Sequence, residues 1–472
     1  MKCKRLPFVL GCAIIFYFIS YTGIGCAQIG SPTGGPRDSI APVLVNSYPA
    51  IKSTLFKGDK ILLTFNEYID VQEIQANVLV SPFPKVNPNI TFKLKTVTIK
   101  LKDTLLENTT YAINFGNAIR DNNEGNPFKN FTYVFSTGKT IDSLSLSGKV
   151  VMAETGKVDS TLAVLLYRNA NDTTVQTRKP DYLTKLDRDG NFTFTNLSEG
   201  HYKVYALKDG DGGKTYNTKI EAFAFYDTEI FVADSTKPVN LFAYAEEKDK
   251  KPAGAATPAT KTAVKNLKYT TSLVSFQQDL LSDLAVTFNR PIKTLDTSKI
   301  ILTDTTYKKI QKVIASFDST NKILTLQSAW TEETAYRLLI DKEAVTDTFN
   351  TLLTKTDTIR FATKSKSDYG SLLLRFSNLD TAQHIVMQFL KNDEVVKSVA
   401  ITASSWSDKL IEPGEYELRI LYDSNRNGIW DPGNYTKKLQ PEKAFTLDKK
   451  LTIKANWDNE RDIKLGAASG EL

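Results

Sequence analysis

Beyond residue 40, apolar and polar positions alternate in short runs. "KILLTFNEY", "TVTIKLKD", "TYAINFG" and "FTYVFST" place apolar side chains at every second position, and each is bounded by Asn, Asp, Gly or Pro. Successive side chains of a strand point to opposite faces, so this period predicts half-buried strands ended by turns. Sustained helical periodicity is hard to find. Regularly spaced short strands predict an all-β chain built of sandwiches.

The pattern repeats itself. "ILLTFNEYI" near Phe65 returns as "LAVTFNRPI" near Phe288, and Tyr111, Asp121 and Phe135 are answered by Tyr336, Asp347 and Phe361, all at offsets between 223 and 226 residues. Between these copies, "GHYKVYALKDGDGGKTY" from Gly200 parallels "GEYELRILYDSNRNGIWDPGNY" from Gly414. The expected organisation is therefore A-B-A′-B′. Sandwiches A, B, A′ and B′ are expected at 41–139, 140–245, 267–365 and 366–472. Residues 246–266, charged and then rich in Ala, Pro and Thr, read as a flexible linker that lets the two A-B pairs reorient.

Each copy carries a resemblance. "ILLTFNEYID" and "TTYAINFGNAIRDNNEGNPF…FTYVFSTG" resemble the SbsA-type bacterial Ig-like domain of S-layer proteins; A′ lacks the Asn-Glu-Gly-Asn turn. "LSGKV" and "LTKLDRDGNFTFTNLSEGHYKVYALKDGDG", with Gly200 and Tyr202 at a corner, resemble the carboxypeptidase-regulatory or collagen-adhesin B type of sandwich. The segment "CAQIGSPTGGPRDSIAPVLVNSYP" is similar to the start of Bacteroidota envelope lipoproteins, through Pro32, Gly34, Gly35, Pro36, Asp38 and Pro42. These resemblances imply tandem Ig-like folds in the envelope and carry no catalytic residue across.

The N-terminus fits that place. Lys2, Lys4 and Arg5 precede an apolar stretch from Pro7 to Tyr21 and small residues at 23–25, the three parts of an export signal. The stretch is shorter than the ~20 residues a spanning helix needs. Gly23-Ile24-Gly25-Cys26 resembles a lipobox, which implies a signal peptide over 1–25, an acylated Cys26 and a tether over 26–40. Val9-Leu10-Gly11-Cys12 is the alternative, with only six residues between Arg5 and the cysteine.

Composition narrows the chemistry. Cys3, Cys12 and Cys26 are the only cysteines, so the remainder of the chain offers no disulfide and no Cys-based zinc site. His201 and His384 lie in different sandwiches, which leaves Ser-His-Asp catalysis poorly supplied. Removing a leader with three basic residues takes the net charge from +7 to +4, no footprint for nucleic acid. No nucleophile–base pairing stands out, and Glu67 and Asp70 read as a polar strand end, since neither carboxylate returns in "FNRPIK".

Two further sets of residues invite chemistry. In "DSNRNGIWDPGN", Asp423, Asn425 and Asn427 alternate before Gly428, with Asp431 beyond, and such oxygens can converge on calcium. Asn, Asp and Gly serve plain turns equally well. The loops at Asp209 and Asp211 and at Asp187 and Asp189 pose the same choice. Trp330, Trp406, Trp430 and Trp457 are core, edge or sugar-stacking residues, with Trp430 the one expected to be exposed. Asp-Ser and Asp-Thr triplets resemble the O-glycosylation acceptor of the Bacteroidota periplasm, which implies modification at Ser39, Thr104, Ser143, Thr358 or Thr381.

The expected protein is a non-enzymatic envelope lipoprotein, a spacer or binding module with protein or glycan partners. The alternative is a carbohydrate-binding accessory of a polysaccharide-uptake system. No cofactor besides calcium is expected. The resemblance implies an outer-membrane lipid anchor, facing either the periplasm or the cell surface. Ala27-Gln28-Ile29-Gly30 carries no acidic residue, which favours the periplasmic face.

Overall fold

A computed structural model describes residues 37–247 and 266–466. The expected signal peptide, Cys26 and the greater part of the linker lie outside them. The described residues form two compact units, one holding sandwich A and the other holding B, A′ and B′.

The alternating runs became strands. Lys60–Phe65 and Thr96–Lys100 turn every second residue inward, as the burial of Ile61, Leu63, Phe65, Val97 and Ile99 shows, whereas Thr110–Asn114 and Thr132–Ser136 are buried at nearly every position. Each sandwich has its own core: around Phe65 and Phe135 in A, Val164 and Tyr202 in B, Phe288 and Leu338 in A′, and Leu374 and Phe389 in B′. Burying one such side chain contributes about 1.5–3 kcal/mol, which is why the strands hold despite modest intrinsic propensity.

The sequence repeat is also a repeat of topology. In A, Lys60–Phe65 lies between Leu44–Tyr48 and Thr96–Lys100, with Asn89–Lys93 beyond. In A′, Leu284–Phe288 lies between Tyr269–Thr271 and Ile323–Gln327, with Ile314–Phe317 beyond. Tyr111 pairs with Phe135 and stacks on it at 5.2 Å; Tyr336 does the same with Phe361 at 5.8 Å.

B and B′ share an order of their own. In B, Leu144–Met152 pairs antiparallel with Asn191–Leu197 and parallel with the last strand, Val239–Ala243. In B′, Gly370–Ser377 pairs antiparallel with Ser405–Ile411 and parallel with Asp458–Lys464. The facing sheets are built on Gly200–Leu207 and Gly414–Tyr422. Each of these strands begins with a glycine of positive φ and carries a tyrosine corner: Tyr202 Oη donates to Ser198 O at 3.0 Å and Tyr416 Oη to Glu412 O at 2.8 Å.

B and B′ are also joined directly. Ala444 N donates to Ala153 O at 2.8 Å and Thr446 N to Thr155 O at 2.9 Å. Buried Arg419 bridges Gln388 of its own sandwich and Glu154 of B at 2.8 and 3.1 Å. Tyr435 inserts its ring among Phe223, Phe225 and Tyr205 of B, with centroids 5.0 to 5.9 Å away. Its hydroxyl donates to Asp172 O at 2.5 Å, and its N–H donates to Glu246 Oε1 at 2.9 Å. A Cβ on Gly433 would lie 2.6 Å from the Tyr244 ring, so glycine alone lets this loop approach B so closely. These contacts set the relation between B and B′, which corrects the expectation that the linker frees the two A-B pairs to reorient.

Candidate functional site

The loop that follows Gly414–Tyr422 gathers Asp423, Asn425, Asn427 and Asp431. Buried Asp423 accepts from the N–H groups of Asn427 and Gly428 at 3.2 and 2.7 Å. The amides of Asn425 and Asn427 both donate to Asp431 Oδ2, at 2.6 and 2.7 Å. Their oxygens accept from the N–H groups of Asn427 and Ile429. A residue the motif did not reveal closes the loop from behind. Glu442, nearly buried, accepts from Ser424 N and Oγ at 2.7 Å and from Asp431 N at 3.2 Å. No local pattern marks Glu442, because it acts across 18 residues.

Trp430 is buried rather than exposed, because its indole N–H donates to Glu442 O at 2.7 Å behind the loop. Trp457 is the exposed one, at 60%, with Lys454 Nζ 4.6 Å from its ring centroid. Trp330 and Trp406 are half-buried against aromatic neighbours.

The other acidic turns are closed in a similar way. Asp209, Asp211 and Glu221 bring three carboxylates within 4.8 Å of one another. Lys214 Nζ sits on Asp209, while Asp211 accepts from Gly213 N and Asn217 Nδ2, both at 2.7 Å. Asp187 accepts from Asp189 N and Asn191 N at 2.9 and 2.7 Å.

For calcium to bind the Asp423–Asp431 loop, the two asparagine amides would have to turn their oxygens toward Asp431, at the loss of their present bonds. We therefore expect the melting temperature of the whole chain to be unchanged, within about 1 °C, between excess calcium and excess EDTA. A calcium-dependent rise, abolished by Asp431→Asn, would show the loop to be a metal site.

The carboxylates of A sit at its polar strand end. Burial pushes the Glu67 carboxyl above its ordinary value, and the charges of Asp121, Asp38 and Glu124 add to it. Asp70 accepts from Gln72 Nε2 at 2.7 Å. Ser39, Thr104, Ser143, Thr358 and Thr381, the expected glycosylation acceptors, are all exposed. No helix among the described residues is long and apolar enough to cross a membrane.

Comparison with known proteins meets this geometry in sandwich A. Residues 38–137 match the model of a bacterial Ig-like domain family. No curated protein matches the chain. Among solved structures, the chain is similar to BcpA, the major pilin subunit of Bacillus cereus, at 11% identity over 69% of this chain and 99% of that one, with a TM-score of 0.17. The Bacillus anthracis TIE protein is similar at 10% identity over 92% of this chain and 76% of that one, also with a TM-score of 0.17. The N-terminal part of the S-layer protein SbsC is similar at 16% identity over 42% of this chain and 44% of that one, with a TM-score of 0.15. The family match covers the segment that carries the Ig-like resemblance in sandwich A.

Proposed function

We propose that this chain is a non-enzymatic lipoprotein of the bacterial outer membrane, held by an acylated Cys26 on the periplasmic face, with its sandwiches acting as a spacer or binding module. The observation that carries the reading is the interlocking of B with B′ through Tyr435, Arg419 and paired backbone groups. A spacer must transmit position from one end to the other, and domains fixed by buried contacts do so better than domains on free linkers. The use of Asp423, Asp431 and Glu442 to close a loop also supports it. Their hydrogen bonds give these carboxylates a structural role in the loop.

Anchoring would follow from lipid chemistry. Each buried CH₂ contributes about 0.8 kcal/mol, so a multiply acylated cysteine holds where a single chain is marginal. Radiolabelled palmitate is expected to enter the wild-type product and not Cys26→Ser. Equal labelling of the two would remove the anchor from this reading.

A second reading, a carbohydrate-binding accessory, is favoured by exposed Trp457 and by a cleft in B′. A glycan array on the whole chain separates the two, since a spacer alone binds nothing on it.

A further inference from the structure

Sandwich B′ holds a cleft of about 470 Å³ where Ile385–Lys391 and Glu394–Ala400 meet the loop at 423–428. Small-molecule sites run from roughly 300 to 1,000 Å³, so a one- or two-ring ligand fits. Its chemistry differs from wall to wall.

One wall is cationic. Arg426 Nε and Nη2 lie 3.2 and 2.8 Å from His384 Nε2. A guanidinium has only donors, so the imidazole nitrogen accepts and the ring proton sits on Nδ1. Arg426 makes no ion pair with a carboxylate among the described residues, and its Nη1 makes no bond. Asp423 also lines the cleft, but its oxygens face the N–H groups of Asn427 and Gly428. Arg426 and His384 both hold left-handed backbone, at φ 63° and 46°, which side-chain-bearing residues adopt rarely.

The remaining walls are neutral. Val386, Ala400 and Ile401 supply aliphatic surface, and Thr381, Ser398 and Thr402 bring hydroxyls that bond to nothing else among the described residues. No Trp, Tyr or Phe ring lines the cleft, and the His384 imidazole is engaged by Arg426, so the broad stacking platform that neutral sugars favour is missing. A guanidinium held on one edge takes a carboxylate through its remaining N–H groups. Aliphatic surface accepts the C–H face of a saturated ring, and the hydroxyls exchange hydrogen bonds with ring hydroxyls. The geometry points to this cleft as a binding site for a sugar acid, with the carboxylate on Arg426 and the ring against Val386, Ala400 and Ile401.

The inference gives a ligand class to the second reading above and does not depend on lipidation. It is tested by titrating the purified whole chain with D-glucuronate in a calorimeter, beside D-glucose, acetate and the dipeptide Ala-Ala. Glucuronate is expected to bind saturably and better than the other three. Arg426→Gln should weaken it roughly tenfold or more, as loss of a charge-assisted bond does. Ala400→Phe, which puts a bulky ring among the residues that line the cleft, should abolish it. Both residues are exposed, so unchanged circular-dichroism melts are expected for both variants. Absence of glucuronate binding, equal binding of glucose or acetate, tighter binding of the dipeptide, or full binding by Arg426→Gln would each overturn the assignment. Neutral glycans bound on the array without glucuronate bound here would sustain the second reading and end this one.

Discussion

Tyr435→Ala is expected to uncouple sandwiches B and B′ and to remove about 3–5 kcal/mol from their joint stability, the range for truncating a buried aromatic side chain. The ring is 4% exposed although it belongs to a loop, because B supplies the surroundings that B′ does not. Phe223 and Phe225 meet it nearly edge-on, and Lys438 Nζ stands 4.0 Å from its ring centroid. Burial pushes the Tyr435 phenol above its ordinary range. Tyr435→Phe keeps the packing and gives up the hydroxyl's bond to Asp172, which costs about 1 kcal/mol. Scanning calorimetry reads the difference. Wild type and Tyr435→Phe should melt B and B′ together, whereas Tyr435→Ala should separate them into two transitions. A single unshifted transition in Tyr435→Ala would mean that the backbone bonds at Ala153 and Thr155 suffice.

Asp347→Ala should cost about 3 kcal/mol, the low end of the range for breaking a buried ion pair. Asp347 is fully buried, accepts from Phe349 N and Thr351 N at 2.8 and 2.7 Å, and holds Arg290 at 2.9 Å. Arg290 is 19% exposed and can still reach water once the carboxylate is gone, hence the low end. Its counterpart Asp121 makes no ion pair among the described residues and accepts four N–H groups instead, from Asn123, Glu124, Gly125 and Asn126. In both, burial works to raise the pKa and is outweighed: by the backbone N–H groups at Asp121, and by Thr351 N–H with the Arg290 guanidinium at Asp347. Both therefore titrate below the ordinary ~3.9. A depressed folded pKa means that the unfolded chain binds protons first as the pH drops. The stabilisation is complete above the unfolded value and is lost as the pH falls through the folded one. Urea midpoints should decline from about pH 5 toward pH 2 in wild type, with a shallower slope in Asp121→Ala/Asp347→Ala. Equal slopes would show that other carboxylates govern acid unfolding.

The strands and the A-B-A′-B′ order were legible because both follow from spacing. Alternation in "KILLTF" decides which side chains face the core, and the pairing of Tyr111 with Phe135 reappears in Tyr336 and Phe361 at a constant offset. The loop at Asp423 was legible as a cluster, since its members are local. Its closure by Glu442, and the burial of Trp430 that comes with it, depend on a return of the chain that no local pattern marks. The interface between B and B′ had one signal. "AVLLY" and "IVMQFL" are apolar almost throughout, and both are buried on both faces. In an antiparallel sheet with one wet face the pattern should alternate, so unbroken apolar runs announce a covered outer face. They could not say what covers it.

The parallel pairing of first and last strands in B and B′ places the entry and exit of each sandwich at opposite ends. A pull on the two termini then runs along the neighbouring strands, and the hydrogen bonds between Ser371–Ser377 and Asp458–Lys464 are loaded in shear, all at once. Strands that peel apart from one end break their bonds singly; these must slide as a block. Such a sandwich resists stretching along its length, a property suited to a chain under tension.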